Sequence, residues 1–176
     1  MKKLVECVPN FSEGRDQNKI GDIVKQMSDV PGITVLDVDP GPDTNRTVVT
    51  IVGSPEAVGE AAFQGIKRAS EVLDMSQHSG THPRMGATDV CPFIPVSDVT
   101  IEECVELSKQ VGNRVGDELG IPVYLYEKSA QKDNRVKLPD IRKGEYEGFA
   151  EKLIDPNWKP DCGPAKLHMK AGATVM

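Results

Sequence analysis

The chain has 176 residues, 38% hydrophobic and 27% charged, with a formal net charge of −6. That length buries a core without help from disulfides or metal, and the acidic balance argues against a nucleic-acid binder. No apolar run approaches the ~20 residues that span a bilayer, and MKKLVECVPN lacks the apolar stretch of a secretory leader, so a cytoplasmic protein is expected.

Residues 3–8 (KLVECV) read as a strand that runs into a Pro-Asn-Phe-Ser-Glu-Gly loop. Asp16 stands at a helix N-cap, with Ile20, Ile23, Val24 and Met27 at helical spacing before Pro31-Gly32 stops the helix. Ile33–Asp39 and Thr47–Gly53 are β-branched runs on either side of the turn-rich PGPDTNR. Ser54 as cap and Pro55 at the first helical position start a second helix, with Val58, Ala62, Ile66, Ala69 and Leu73 as its stripe. Residues 74–87 break every periodicity and hold His78 and His82, and a polar loop of that length calls for a function. Asp89–Val96 returns to strand character, with Pro92 and Pro95 marking an edge or a bend. Thr100-Ile-Glu-Glu103 is a capping box, followed by Cys104, Leu107, Val111, Val115 and Leu119, a closing Gly120 and a strand at Val123–Glu127. A further helix is expected over Glu145–Ile154, and an extended stretch from Asp155 to Met176 ending in the beginning of another strand. The order β-α-β-β-α-β-α-β predicts an α/β (α+β) protein, with a ferredoxin-like mixed sheet and helices packed on one face.

Several residue types suit chemistry. His82, in SGTHPRMG, exchanges protons near neutral pH, and Arg84 offers a planar fork for a carboxylate; the competing reading is a loop histidine that only hydrogen-bonds. Asp37 and Asp39 share one face of their strand, with Val38 on the other, and either stabilise developing positive charge or serve the turn at Pro40-Gly41. Asn45, Arg46 and Asn10 are polar contributors that can face the same cleft. His78 and His82 are four apart, but Gly80 and Pro83 oppose a helix there, so no metal is expected. Cys7, Cys91, Cys104 and Cys162 form no C-x-x-C pair and are expected as buried free thiols. Charge is uneven: residues 1–127 carry 11 basic and 20 acidic side chains, residues 128–176 carry 10 and 7, so the C-terminal stretch either attracts an anion or is a solvated surface.

Four segments, ECVPNFSEGRD (6–16), DVDPGPDTNRTVVTIVG (37–53), HPRMGATDVCPFIPV (82–96) and DCGPAKLHMKAGATV (161–175), together resemble glutamate formiminotransferase, in its N-terminal subdomain, in order and over essentially the whole chain. The resemblance implies transfer of a formimino group from N-formimino-L-glutamate to N5 of tetrahydrofolate, a co-substrate, giving 5-formiminotetrahydrofolate and L-glutamate in histidine degradation. It places the family's catalytic histidine on His82 and a folate-contacting stretch on Gly163 to Gly172, where Gly163, Pro164, Lys166, Lys170 and Gly172 would meet (poly)glutamylated folate. Asp39 is expected to stabilise the cationic intermediate, with Asn10, Asp37, Asn45, Arg46 and Arg84 as substrate contacts. The family places a second α/β subdomain next, so residues 161–176 are expected as a junction to a C-terminal subdomain outside this chain, supplied by a separate partner or replaced by a homodimer contact. Two alternatives stand beside this: a non-catalytic folate-binding or assembly module, and a cyclo-ligase-like enzyme acting on 5-formyltetrahydrofolate.

Overall fold

The computed structural model describes residues 2–176. Two short strands, β1 (Leu4–Cys7) and β2 (Asn10–Phe11), bracket Val8-Pro9 and act as one bent strand. The helix α1 (Gln17–Ser28) starts where Asp16 accepts hydrogen bonds from the Asn18 and Lys19 amides. The edge strand β3 (Thr34–Gly41) and β4 (Arg46–Gly53) form a hairpin. The strand β3 runs past Asp39 because its ladder to β4 continues through Pro40 and Gly41, and an edge tolerates the missing amide of proline. Ser54 caps α2 (Pro55–Val72). The stretch Asp89–Val96 resolves into β5 (Thr88–Val90) and β6 (Phe93–Ser97), broken at Cys91-Pro92. The capping box opens α3 (Ile101–Leu119), and Gly120, at φ 66°, closes it.

Four strand units then give the expected ferredoxin-like order. With β1–β2 and β5–β6 each taken as one bent strand, the sheet runs β3, β4, β1–β2, β5–β6, antiparallel throughout. Beyond β5 the sheet becomes mixed: β8 (Thr174–Val175) pairs in parallel with both β5 and β7 (Val123–Tyr124). The stretch 161–176 is therefore woven into the sheet, with its final strand between two others. The strand expected to run to Glu127 is regular only over Val123–Tyr124; the Tyr126 amide still donates to the Met176 carbonyl, and Glu127, at φ 50°, then turns the chain.

The three long helices cover one face. Val5, Cys7, Val49 and Ile51 of the sheet meet Ile23 and Met27 of α1, Val58, Ile66 and Ala69 of α2, and Leu107, Val111 and Val115 of α3. These are the residues the helical spacing picks out, and their burial drives the packing. All four cysteines are buried free thiols, with the Cys7 and Cys91 sulfurs 3.6 Å apart. At the β5–β8–β7 end the opposite face carries a second, smaller cluster of Met85, Val90, Tyr124, Ile141, Phe149 and Val175. It lies beneath two short helices, α4 (Leu138–Arg142) and α5 (Phe149–Lys152).

The helix expected over Glu145–Ile154 is reduced to that single turn of α5. Gly144 at φ 92° and Glu145 at φ 53° reverse the chain, and the Tyr146 amide donates to the Arg84 carbonyl instead of entering a helix. Part of the basic C-terminal stretch is structural. Arg135 is fully buried, paired with Asp161 at 2.5 Å and lying 4.9 Å over the Tyr124 ring. No helix among the described residues is long and apolar enough to cross a membrane.

Candidate functional site

Opposite the three helices, the strands β4, β2 and β3 present Arg46, Val48, Asn10, Asp37 and Asp39 on one face. Pairing carries the row: Asp39 faces Val48, Val48 faces Asn10, and Asn10 faces Val90. Two inter-strand spacings separate Asp39 from Asn10, about 10 Å. Val38 points into the core and both aspartates are exposed, as alternation predicts. Neither aspartate carboxylate makes a hydrogen bond or ion pair with a described residue, so both remain open acceptors.

The loop before β5 is fixed over this face by backbone contacts. The Thr81 amide donates to the Asp43 carbonyl, and a side chain at Gly80 would strike the Thr44 carbonyl at 2.3 Å. Asn45, at φ 50°, joins three loops: its Oδ1 accepts from the Gly14 amide at 2.9 Å and its Nδ2 donates to the Ser79 carbonyl at 2.9 Å. These contacts set His82 against Arg46.

Arg46 is the hub. Its Nε donates to Asn10 Oδ1 at 2.7 Å, and its Nη2 reaches the same oxygen. Its Nη1 faces the His82 ring between the two nitrogens, 2.7 Å from Nδ1 and 3.2 Å from Nε2, and lies 3.5 Å from Asp89 Oδ2. Burial lowers the Arg46 guanidinium below its ordinary value; Asp89 opposes this and the Arg142 charge adds to it. His82 Nδ1 also lies 2.7 Å from the Pro83 carbonyl. These two neighbours ask opposite things of one atom. A guanidinium only donates, so Nδ1 facing Arg46 is bare; facing the carbonyl, it carries the proton.

Asp89 lies behind this pair, 1% exposed. Its Oδ1 accepts from the Met85 amide at 2.7 Å, and its Oδ2 takes Arg142 Nη2 at 2.5 Å as well as Arg46. Beside the cluster is a concavity of about 380 Å³ lined by Pro83, Pro139, Arg142, Lys143, Gly144 and Glu145. Sequence reasoning missed Asp89 and Arg142 as site residues. Asp89 does carry a signal, a carboxylate inside a buried strand. Arg142 carries none, being one of several cations in a basic stretch.

Arg84 is placed elsewhere. All five of its N–H groups are engaged: Nε with His78 Nδ1, Nη2 with the His78 carbonyl, and the rest with Glu145 and a bidentate Glu147. His78, in turn, meets the Asn45 carbonyl through Nε2 at 3.0 Å, and burial, with Arg84's charge, holds its pKa below the usual histidine value. Both groups fasten the loop that carries His82.

The stretch from Gly163 to Gly172 makes no hydrogen bond or ion pair to His82 or Arg46. Gly172, at φ 64°, lies where an added side chain would meet the Met85 carbonyl at 2.0 Å, and Gly163, at φ 78°, packs on Gly116 of α3. Pro164, Lys166 and Lys170 edge a separate concavity of about 330 Å³, both lysines exposed. Among the described residues no group of three His, Cys, Asp or Glu is arranged to hold a metal ion.

Residues 4–176 match the family described as "Formiminotransferase domain, N-terminal subdomain". The chain is 52% identical to a glutamate formimidoyltransferase of Streptococcus pyogenes over all of its own length and 59% of that protein's. It is 55% identical to a formimidoyltransferase-cyclodeaminase of Dictyostelium discoideum, covering 99% of this chain and 33% of the relative. With a glutamate formimidoyltransferase of Thermoplasma acidophilum the figures are 47%, 98% and 57%. The chain thus spans a third to three-fifths of these relatives.

Proposed function

The chain belongs to the formiminotransferase family, as its N-terminal subdomain, and from that premise we propose that it supplies one wall of a glutamate formimidoyltransferase site. The reaction moves the formimino group from N-formimino-L-glutamate to N5 of tetrahydrofolate. The observation that carries this reading is the Arg46 hub, which gathers Asn10, His82 and Asp89 from three separate segments on one face of the sheet.

N5 attacks the amidine carbon and must lose a proton, and the departing glutamate nitrogen must gain one. The Pro83 contact of His82 Nδ1 suits both steps. With Nδ1–H donating to the Pro83 carbonyl, Nε2 is bare and accepts the proton from N5. The imidazolium so formed, still held at Nδ1 by the Pro83 carbonyl, then delivers the Nε2 proton to the leaving nitrogen and returns to the neutral ring. Asp39, open on the same face, stabilises the cationic tetrahedral intermediate. Asp37 and Asn10 line the same face of the sheet, and Lys166 and Lys170 meet the glutamate carboxylates of folate. Residues 161–176 lead toward a C-terminal subdomain that completes the cleft, from a separate chain or the same one. The protein works in the cytoplasm, in histidine degradation.

The test replaces His82 by Ala and follows glutamate release in the presence of tetrahydrofolate and a C-terminal subdomain. A fall of about 10²- to 10⁴-fold is expected, with folate binding retained; unchanged turnover overturns the assignment. A chain that binds folate but transfers nothing in any combination supports the assembly-module reading instead.

A further inference from the structure

The His82 cluster holds more positive charge than its own residues neutralise. Arg46 and Arg142 converge on a single carboxylate oxygen, Asp89 Oδ2, at 3.5 and 2.5 Å. Asp89's other oxygen is taken by the Met85 amide, and the residue is buried, so it has no further capacity. One carboxylate between two guanidiniums leaves an excess of one positive charge. The nearest acid on the concavity wall, Glu145, reaches toward Arg84 at 3.3 Å. Lys143, also on that wall, adds to the excess. Of Arg142's donors only Nη2 is used among the described residues, and its Nε is buried without a partner. An unpaired buried donor is costly, and a guanidinium is shaped to hold a carboxylate through two parallel bonds.

We propose that Arg142, with Arg46 behind it and Asp89 fixing both, forms a carboxylate subsite in the concavity beside Pro83, which holds a carboxylate of the formiminoglutamate donor while His82 works on its nitrogen. This rests on the transferase reading and gives Arg142 the role that residue type alone suggested for Arg84, whose donors are all occupied. A glutamate carboxylate also ends the folate acceptor, and the same chemistry would hold it; the experiment separates the two.

The measurement is steady-state transfer by the active transferase, wild type and Arg142→Gln, varying donor and acceptor separately. The subsite predicts a rise of about 10- to 100-fold in KM for N-formimino-L-glutamate, with kcat within about threefold and KM for tetrahydrofolate unchanged. Arg142→Lys should recover part of the loss. The wild type should prefer the donor over its carboxamide analogues, and Arg142→Gln should lose that preference for one of the two carboxylates; a general loosening of the fold would not remove it selectively. A rise in the folate KM alone overturns the donor assignment, and no KM change overturns the subsite while leaving the transferase reading intact. A wild type that neither transfers nor binds the donor overturns both. If Arg142→Gln does not fold, the wild-type protein still decides: adding L-glutamate must shift the Arg142 Nε–H resonance, and an unmoved resonance at saturation refutes the proposal.

Discussion

Replacing Asp89 by Asn isolates what its charge does, because the amide keeps the shape and still accepts from the Met85 amide. What is lost is the anion between two guanidiniums. Contacts of 2.5 and 3.5 Å to one oxygen place the Arg142 and Arg46 nitrogens no more than about 6 Å apart. At an effective dielectric of ~20, two like charges at that distance repel by about 3 kcal/mol. Losing one partner of a buried pair typically costs about 3–5 kcal/mol, and the repulsion left unopposed here is of that order. Urea unfolding should show Asp89→Asn destabilised by about 3–5 kcal/mol with an unchanged slope, and for a chain of this size that corresponds to a fall of about 10 °C in Tm. Adding Arg142→Gln removes the repulsion, so the double variant should be more stable than the sum of the singles by at least about 1 kcal/mol. A cost below about 1 kcal/mol for Asp89→Asn, or strict additivity, would refute this electrostatic account.

Other outcomes follow from the same geometry. Arg84 holds Glu147 down at about pKa 2, against 4.5 for the free group; a carboxylate depressed on folding adds stability above about pH 4.5 that is lost as pH falls toward 2. Glu147→Gln should therefore flatten the acid limb of stability against pH, and an unchanged limb contradicts the clamp. Arg84→Ala should lower stability without raising the donor KM selectively, in contrast to Arg142→Gln. Gly172→Ala sets a side chain against the Met85 carbonyl at a left-handed φ and should cost about 2–4 kcal/mol by thermal or urea unfolding. Thr100→Ala removes half of the capping box on α3 and should cost about 1 kcal/mol, read in the same way.

Elements with a period and a cap were legible in the sequence. Asp16, Ser54 and Thr100 start helices where their side chains meet the backbone, and the three apolar stripes are the ones the sheet buries. The ferredoxin-like order follows from element sequence, but the insertion of residues 174–175 between β5 and β7 is a long-range pairing that no local pattern announces. The helix over 145–154 misled because Ala150 to Leu153 are good helix formers, while Gly148 interrupts the run and Arg84, some sixty residues earlier, draws Glu145 and Glu147 into a turn. At the site, Asn10, Arg46 and His82 converge, whereas Asn45 and Arg84 are taken up in fastening loops. Asp39 shares the face but has no contact to the hub, and Gly163 and Gly172 are held by close chain packing. Residue type alone cannot say which of two arginines has free donors; only the count of partners in the fold separates Arg84 from Arg142.

The decisive measurement follows the group that moves. N-formimino-L-glutamate carrying ¹³C in the formimino carbon is mixed with tetrahydrofolate and the chain, with and without a C-terminal subdomain, and read by carbon NMR. The label should leave the glutamate nitrogen and appear on N5 of the folate in step with free glutamate, and His82→Ala should slow the transfer by about 10²- to 10⁴-fold. Label that stays on glutamate in every mixture containing the folded wild-type chain, or that transfers equally well without His82, would contradict the assignment.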